Sequence, residues 1–231
     1  MIELLLVIAV IAVLATIAYP VFTGALERAK AVKDMNNLRQ IGIATQLYMN
    51  DNDGALPGST TVPWMSQLHP KYLSSWNIFQ SPFDTRSPSE LGDATTPISY
   101  GVNANVYPNN IAISADKISK PTIFILFAPA QAATATVTFQ GTAAPGVTVL
   151  VLGNGATATS TPGGTTAAPP PPQGTHANRT HINALFADLH LENMTWPVKA
   201  DAVSTTFTNN AAALPADPDG YFRWTPYTPY P

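Results

Sequence analysis

The sequence predicts an α+β fold in which one long N-terminal helix packs against an antiparallel β-sheet. An apolar run of 19 residues spans residues 4–22, and a helical spacing of apolar residues continues to about residue 50. Short segments rich in β-branched residues, with alternating polarity, follow in the rest of the chain. With 231 residues, the chain has room for one domain of ordinary size with appendages.

The apolar run is long enough for a membrane-spanning helix. At 1.5 Å per residue it makes a helix of about 28 Å, close to the hydrocarbon core of a bilayer, which is about 30 Å thick. A signal peptide would instead have a basic leading region and a shorter apolar core that ends at small residues. Pro20 lacks a backbone N–H and clashes with the preceding turn, so we expect the helix to kink or loosen nearby.

Glu3 is an acid beside this apolar run, and a plain membrane anchor does not explain it. At the membrane interface, a carboxylate near a helix N-terminus costs little free energy and suits the helix dipole. Alternatively, Glu3 pairs with a cation that becomes available only on assembly. The apolar run by itself leaves both explanations open.

The N-terminal residues resemble a known family. The segment MIELLLVIAVIA at residues 1–12, followed by Ala18-Tyr19-Pro20, resembles the N-terminal segment of type IV pilins and pseudopilins. In that family a prepilin peptidase removes a short basic leader and methylates the new N-terminal residue. The family's glutamate corresponds to Glu3, and Met1 then corresponds to the third mature residue. The resemblance therefore implies that the leader and the residues just after it are missing.

The resemblance implies a pilin-like fold and a subunit that assembles with itself. A membrane-inserted pool would polymerise into a helical homopolymer, with the prepilin peptidase and the inner-membrane assembly machinery as partners and no nucleic acid required. In the dry helix bundle Glu3 would pair with the N-terminal ammonium of a neighbouring subunit, because an unpaired carboxylate is costly there. The helix would melt locally just before Pro20. The predicted assembly residues are Glu3, Pro20, Leu4, Leu5, Val7, Ile8, Ile11, Leu14 and Phe22.

Residues 23–54 predict an amphipathic continuation of the helix. Their charged residues, Asp34 among them, lie mostly off the apolar stripe, and we interpret them as a solvated face rather than a membrane-surface patch. The segment Asp51-Asn52-Asp53-Gly54 is predicted to end the helix as a turn. It is not expected to be a calcium loop, because Val62 stands where such a loop needs a bidentate glutamate. The apolar stripe consists of Leu26, Ala29, Val32, Met35, Leu38, Ile41 and Tyr48.

A second resemblance covers residues 36–100 and 176–196, which are similar to pseudopilin-like proteins with a C-terminal H-X9-DG motif. Leu189 replaces the glycine of that motif's hairpin, so we do not expect a type I′ turn with positive φ. Neither His176 nor His181 has the family's spacing from Asp188. The residues that carry the likeness are 36–42, 48–54, 99–101 and 183–190, with Ser81-Pro82-Phe83-Asp84 in place of a Cys-Pro-x-Asp segment.

The globular head is predicted over residues 55–130 and 176–213. Its strand candidates are residues 122–127, 134–139, 147–152, 183–187 and 190–196.

Residues 131–175 form an insertion that contains no charged residue and is dominated by Ala, Thr, Gly and Pro. Its first half predicts a hairpin, and residues 157–175 are typical of a mucin-like loop. This loop is either a flexible surface insertion or an O-glycosylated segment. Asn178 and Asn193 begin N-x-T sequons, the second of them in a predicted strand. The candidate O-glycosylation residues are Thr157, Thr159, Ser160, Thr161, Thr165 and Thr166.

Residues 214–231 are a tail of interleaved prolines and aromatic residues. The proline spacing predicts an extended or polyproline-like chain. Its aromatic side chains either pack on their own head or contact a neighbouring subunit. The candidate contact residues are Tyr221, Phe222, Trp224, Tyr227 and Tyr230.

Composition and motifs favour a structural role over an enzymatic one. The net charge of −3 gives no nucleic-acid surface, and no cysteine is present for a disulfide or a thiolate site. Asp188, His190 and Glu192 would share one face of a continuous strand, but a turn at residues 188–189 would break that face, so we expect no metal and no cofactor. We predict a subunit of an extracellular type IV pilus-like filament at the cell surface. The alternatives are a major pseudopilin of a type II secretion system and, more remotely, a membrane-anchored surface enzyme.

Overall fold

The computed structural model describes residues 2–59, 61–83, 98–107, 111–132, 138–139, 175–177 and 181–195. Helix α1 spans Ile2–Asp51 and the short helix α2 spans Trp64–Leu68. Single 3-10 turns lie at Trp76–Phe79, Ala104–Val106 and Ala115–Lys117. The strands are β1 (Ile98–Asn103), β2 (Ile125–Ala132), β3 (Thr138–Phe139), β4 (His181–Phe186) and β5 (Leu191–Thr195).

Helix α1 is a single helix of 50 residues, as the apolar run and its amphipathic continuation predict. It runs through Pro20 without a break, so the loosening predicted beside this proline is not found in the isolated chain. A proline removes one hydrogen bond from the ladder, and the intact turns on both sides hold the helix across that gap. Next to it, the hydroxyls of Thr16 and Thr23 donate to the carbonyls of Val13 and Pro20, at 2.7 Å and 3.0 Å.

The end of α1 confirms the predicted stop. Asp53 and Gly54 have φ of 53° and 78°, which is the left-handed conformation that commonly ends a helix. The Gly54 N–H donates to the Met49 carbonyl at 2.9 Å and so satisfies one of the last carbonyls of the helix. The Gly54 carbonyl then accepts the N–H of Ala115, at 3.0 Å, which joins this turn to the head.

The sheet has the order β3-β1-β2-β4-β5. The pairs β1–β2, β2–β4 and β4–β5 are antiparallel, so the predicted antiparallel sheet is confirmed for four strands. The two-residue strand β3 is the exception, since it pairs with β1 in parallel. Four of the five strand candidates overlap β2, β3, β4 and β5. The fifth, at residues 147–152, lies outside the described part of the chain. Strand β1 was not among the candidates.

The β4–β5 hairpin contradicts the prediction for φ of Leu189, although Asp188 does not have positive φ and the turn is therefore not of type I′, as expected. This residue has φ of 67°, although a left-handed conformation costs a residue with a Cβ about 1–2 kcal/mol. Its N–H donates to the Phe186 carbonyl at 2.9 Å, and the Asp188 carboxylate accepts the N–H of His190 at 3.2 Å. The Leu189 side chain also packs on the main core. These contacts offset the backbone cost, so the turn forms without glycine.

The sheet is buried on both faces. The face toward α1 belongs to the main core, which includes Leu38 and Ile41 of the helix, Phe127 and Leu185 of the sheet, and Trp64 of α2. Since side chains alternate along a strand, the neighbouring residues of β2 and β4 point away from α1. They form a second buried cluster of Ile125, Ala128, Ile182, Ala184, Phe186 and Met194.

Replacing Gly54 with alanine tests the turn that ends α1. The new Cβ would impose strain at φ of +78° and would approach Ser114 Oγ to 2.8 Å. We expect Gly54→Ala to lower the free energy of unfolding by about 1–2 kcal/mol, measured by denaturant titration of the detergent-solubilised full chain. Gly24→Ala is the matched control, because nothing lies within 4 Å of a Cβ there. A Gly54→Ala protein as stable as the wild type would show that this turn is not strained by a side chain.

Candidate functional site

The N-terminal half of α1 is a continuous apolar surface. Residues 2–26 are all exposed among the described residues, and the head begins to cover the helix only at Glu27. The predicted assembly residues lie on this half and are all exposed. The exposed fractions of their large apolar side chains run from 71% at Leu4 to 52% at Ile8. The structure therefore brings these residues together on one unpartnered helix.

This half of α1 has the length and composition of a membrane span, with a mean hydropathy of 2.7 over an 18-residue window. Its large apolar side chains point in all directions around the axis. A helix that is apolar all round requires an apolar environment on all sides, supplied by lipid or by other helices.

Glu3 lies in the first turn of α1, where a carboxylate interacts favourably with the helix dipole. It forms no ion pair with the residues that the structure describes.

A second acid of α1, Asp34, has the opposite environment. Its side chain is completely buried between the helix and the sheet. The Tyr100 hydroxyl donates to Oδ1 at 2.7 Å, the Ser81 hydroxyl also donates to Oδ1, and Asn183 Nδ2 donates to Oδ2 at 2.8 Å. These three donors come from β1, from the segment after the 3-10 turn, and from β4. The carboxylate thus ties α1 to three separate parts of the head.

Each of these three donor residues also accepts a hydrogen bond from a further group. The Phe83 N–H donates to Ser81 Oγ at 3.3 Å, and Asn193 Nδ2 donates to Asn183 Oδ1 at 2.8 Å. Asn37 Nδ2 lies 3.4 Å from the Tyr100 hydroxyl. An outer layer of donors therefore strengthens the inner hydrogen bonds, and the pattern suits an acceptor rather than a protonated acid.

The electrostatics of this site follow from burial without a cation. Desolvation raises the pKa of Asp34, and its three side-chain hydrogen bonds oppose that change. Desolvation and the adjacent carboxylate together raise the pKa of Tyr100, which keeps the phenol protonated as a donor. No lysine, arginine or histidine forms an ion pair with Asp34 within the part of the chain that the structure describes.

The sequence interpretation placed Asp34 on the solvated face, and this was wrong. Asp34 shares the buried face of α1 with Leu38, Ile41 and Thr45, at helical spacing. Conversely, Leu26 and Val32 of the predicted stripe are exposed, at 46% and 58%. The spacing of Asp34 from Leu38 and Ile41 was the available signal, because a polar residue at that spacing lies on the core face.

The predicted break of the possible metal face is also observed. Asp188 lies in the turn before β5, so Asp188, His190 and Glu192 do not share a strand. His190 Nδ1 instead contacts Asp188 Oδ1, and its ring stacks on Phe186 with 4.3 Å between centroids. No group of three metal-ligating side chains occurs among the described residues.

Two sets of candidate residues lie outside the described part of the chain. They are the six hydroxyl residues at 157–166 and the five aromatic residues at 221–230. Asn193, the second sequon residue, lies in β5 as predicted, and its amide takes part in the hydrogen bonds around Asp34.

Comparison of the chain with protein-family models, with curated proteins and with solved structures finds no match.

Removing the Asp34 carboxylate tests its role as the attachment of α1. We expect Asp34→Ala to lower the free energy of unfolding by about 2–4 kcal/mol, because Ser81, Tyr100 and Asn183 would lose a buried acceptor. Glu192→Gln, an exposed acid on β5, is the control and should change stability by less than about 0.5 kcal/mol. Equal stability of the wild type and Asp34→Ala in denaturant titrations would contradict this role.

The stability of the wild type relative to Asp34→Asn should depend on pH. The pKa of Asp34 is raised in the folded chain above its ordinary value of 3.8, so the folded state binds the proton more tightly than the unfolded state. As pH falls from neutral through the folded-state pKa toward 3.8, the wild type should gain stability relative to Asp34→Asn, and this gain should level off below 3.8. Paired denaturant titrations across that range measure the difference. A difference that stays constant with pH would mean that burial does not perturb this carboxyl.

Proposed function

We propose that this chain is a structural subunit that polymerises through its N-terminal helix into an extracellular type IV pilus-like filament. The observation that carries the proposal is the two-part helix. Residues 2–26 are apolar and exposed, while the rest of the same helix is built into the head. One rigid element therefore joins a membrane-compatible segment directly to a folded domain.

The apolar half suits two successive environments. As a single subunit it would lie in the lipid bilayer, which matches its length and composition. In a filament the same side chains would lie against those of neighbouring helices. Lipid tails are as apolar as leucine, so moving from lipid to a bundle gains little from hydrophobic burial. Packing and polar contacts must then supply most of the preference for the assembled state.

Glu3 is the residue of this half best suited to supply such a polar contact. It forms no ion pair within its own subunit in the described structure, and in a dry bundle a lone carboxylate would be strongly unfavourable. The N-terminal ammonium of a neighbouring subunit is the partner that the resemblance to pilins implies. Pairing would satisfy Glu3 and would also fix the axial register between subunits.

The buried carboxylate supports the same function. A filament presents its heads in a regular array only if each head keeps one position on its helix. Asp34 holds α1 through donors from three separate segments, and such directional contacts resist sliding and rotation more than apolar contacts do. The head is thereby positioned relative to Glu3, about 30 residues earlier on the same helix, or about 46 Å at 1.5 Å per residue.

Substitution of Glu3 tests the proposed register contact. In strains that produce Glu3→Ala or Glu3→Gln, we expect the subunit to remain in the membrane fraction while the yield of sheared filaments falls roughly a hundredfold, because the partner ammonium would be left buried and unpaired. Immunoblots of membrane and sheared fractions measure both quantities. Glu192→Gln is the control for a charge change on the head. Wild-type filament yields from Glu3→Ala would overturn the proposed role of Glu3.

Imaging tests the filament itself. Negative-stain electron microscopy of material sheared from the cell surface should show long, thin filaments that bind an antibody against the head. The alternative is a major pseudopilin, whose short filaments remain beneath the surface. Sheared material without such filaments, from cells that contain the subunit in their membranes, would contradict the pilus and favour the pseudopilin. Chain found only as membrane-bound monomer would contradict both.

A further inference from the structure

A line of hydrogen bonds leads from the buried carboxylate of Asp34 to the edge of the sheet. Asn183 of β4 donates to Asp34, and Asn193, opposite Asn183 on β5, donates to Asn183. Asn193 Nδ2 lies 2.6 Å from His176 Nε2, and Thr175 Oγ1 lies 2.9 Å from His176 Nδ1. The line therefore ends at the chain segment 175–177, which approaches β4 at the start of that strand.

The chemistry of these groups fixes the direction of each hydrogen bond. Asn183 Nδ2 faces two acceptors, the Asp34 carboxylate and the Ala31 carbonyl at 3.1 Å, so the amide oxygen of Asn183 must point toward Asn193. That oxygen needs a donor, which the NH₂ group of Asn193 supplies among the described residues. The same NH₂ group faces His176 Nε2, so this ring nitrogen must accept.

It follows that His176 is neutral, with its proton on Nδ1. Nδ1–H then donates to Thr175 Oγ1, and this hydroxyl donates to the His181 carbonyl at 3.3 Å. Every group in the line has a compatible partner in this one arrangement. A proton added to Nε2 would instead point at the NH₂ group of Asn193. Asn193 cannot turn its oxygen toward Nε2 without setting that oxygen against Asn183 Oδ1. Asn183 cannot turn in response without setting its own oxygen against Ala31 and Asp34.

His176 also holds the head against α1 near the end of the exposed helix. The ring is buried and stacks on Phe83, with 5.3 Å between centroids. The next residue, Ala177, donates its N–H to Glu27 Oε1 at 2.7 Å, and this contact joins the segment to the first covered residue of α1. A change at His176 is therefore adjacent to a contact between the head and the helix.

We propose that the line Asp34–Asn183–Asn193–His176 is an acid-sensitive latch, which releases residues 175–177 from α1 when His176 takes up a proton. Release separates Nε2–H from the Asn193 NH₂ group and breaks the contact between Ala177 and Glu27. The head is then attached less firmly to α1 near Glu27, next to the exposed apolar part of the helix. The inference does not depend on filament formation.

The titratable groups around His176 determine the pH at which this latch opens. Burial lowers the pKa of His176, and His181 on β4, with 6.0 Å between ring centroids, lowers it further. Glu27 on α1 acts in the opposite direction, because its negative charge favours the imidazolium, and a hydrogen bond from Nε2–H to the amide oxygen of Asn193 would favour it too. With the NH₂ group of Asn193 facing Nε2, that second effect is absent. Asp34 is separated from the ring by the two asparagines and acts through their orientation. Since the folded pKa lies below the ordinary value, proton uptake accompanies opening as pH falls below about 6.5.

The first test determines where the proton lies on His176. Nitrogen-15 NMR of histidine side chains in the detergent-solubilised full chain distinguishes a protonated from a bare ring nitrogen, and His176→Gln assigns the signals. At about pH 7.5, one unit above the ordinary histidine pKa, we expect the proton on Nδ1. Asn193→Asp replaces the donor by a negatively charged acceptor and should place a proton on Nε2. A proton on Nε2 in the wild type would overturn the proposal without any variant.

The second test measures opening. Hydrogen exchange of the Ala177 amide, corrected for the intrinsic rate, should lose protection about tenfold per pH unit as pH falls below about 6.5, because one proton is taken up. His176→Gln should abolish this dependence, whereas His190→Gln, at a histidine in the hairpin turn, should retain it. Equal pH dependence in His176→Gln and the wild type would exclude the latch.

Discussion

The buried carboxylate of Asp34 is the constraint on which the arrangement of helix and head depends. A charge in the core is tolerated only where hydrogen-bond donors replace the water that it loses. Here the donors are neutral and come from chain segments 47, 66 and 149 residues away in sequence. They reach one carboxylate only when the loop at Ser81, strand β1 and strand β4 are all in place. The head therefore folds correctly around α1 or leaves a buried charge unsatisfied.

This constraint also fixes how the exposed half of α1 is oriented relative to the head. The apolar half of α1 has no preferred face, so its own side chains do not determine how the helix is rotated relative to the head. The apolar contacts of Leu38 and Ile41 supply most of the burial, but they tolerate small shifts better than a hydrogen-bonded charge does. The hydrogen bonds of Asp34 fix the rotation of α1 relative to the head. Because the helix is continuous, they also fix the orientation of its exposed half.

The parts of the fold that sequence predicts are those determined by local chemistry. The helix stop at residues 51–54 and the strands β4 and β5 follow from turn residues and alternation. The role of Asp34 depends on partners far away in sequence, so helical spacing identifies its face but not its donors. Strand β1 is missed although Ile98, Tyr100 and Val102 alternate with small or polar residues, and all six of its residues are buried. The positive φ of Leu189 is not predicted, because hydrogen bonds and core packing offset a local backbone cost.

The same hydrogen-bond network explains why a serine is suited to position 81. A cysteine at this position would be a poorer partner for Asp34, because a thiol is a weak hydrogen-bond donor. A hydroxyl makes a short, charge-assisted hydrogen bond to a carboxylate. The Ser81 hydroxyl both donates to Asp34 and accepts the N–H of Phe83, so it is buried with its hydrogen-bonding capacity used. Without a cation among the described neighbours, Asp34 depends on strong neutral donors. Serine at this position therefore stabilises the charge on which the attachment of the helix depends.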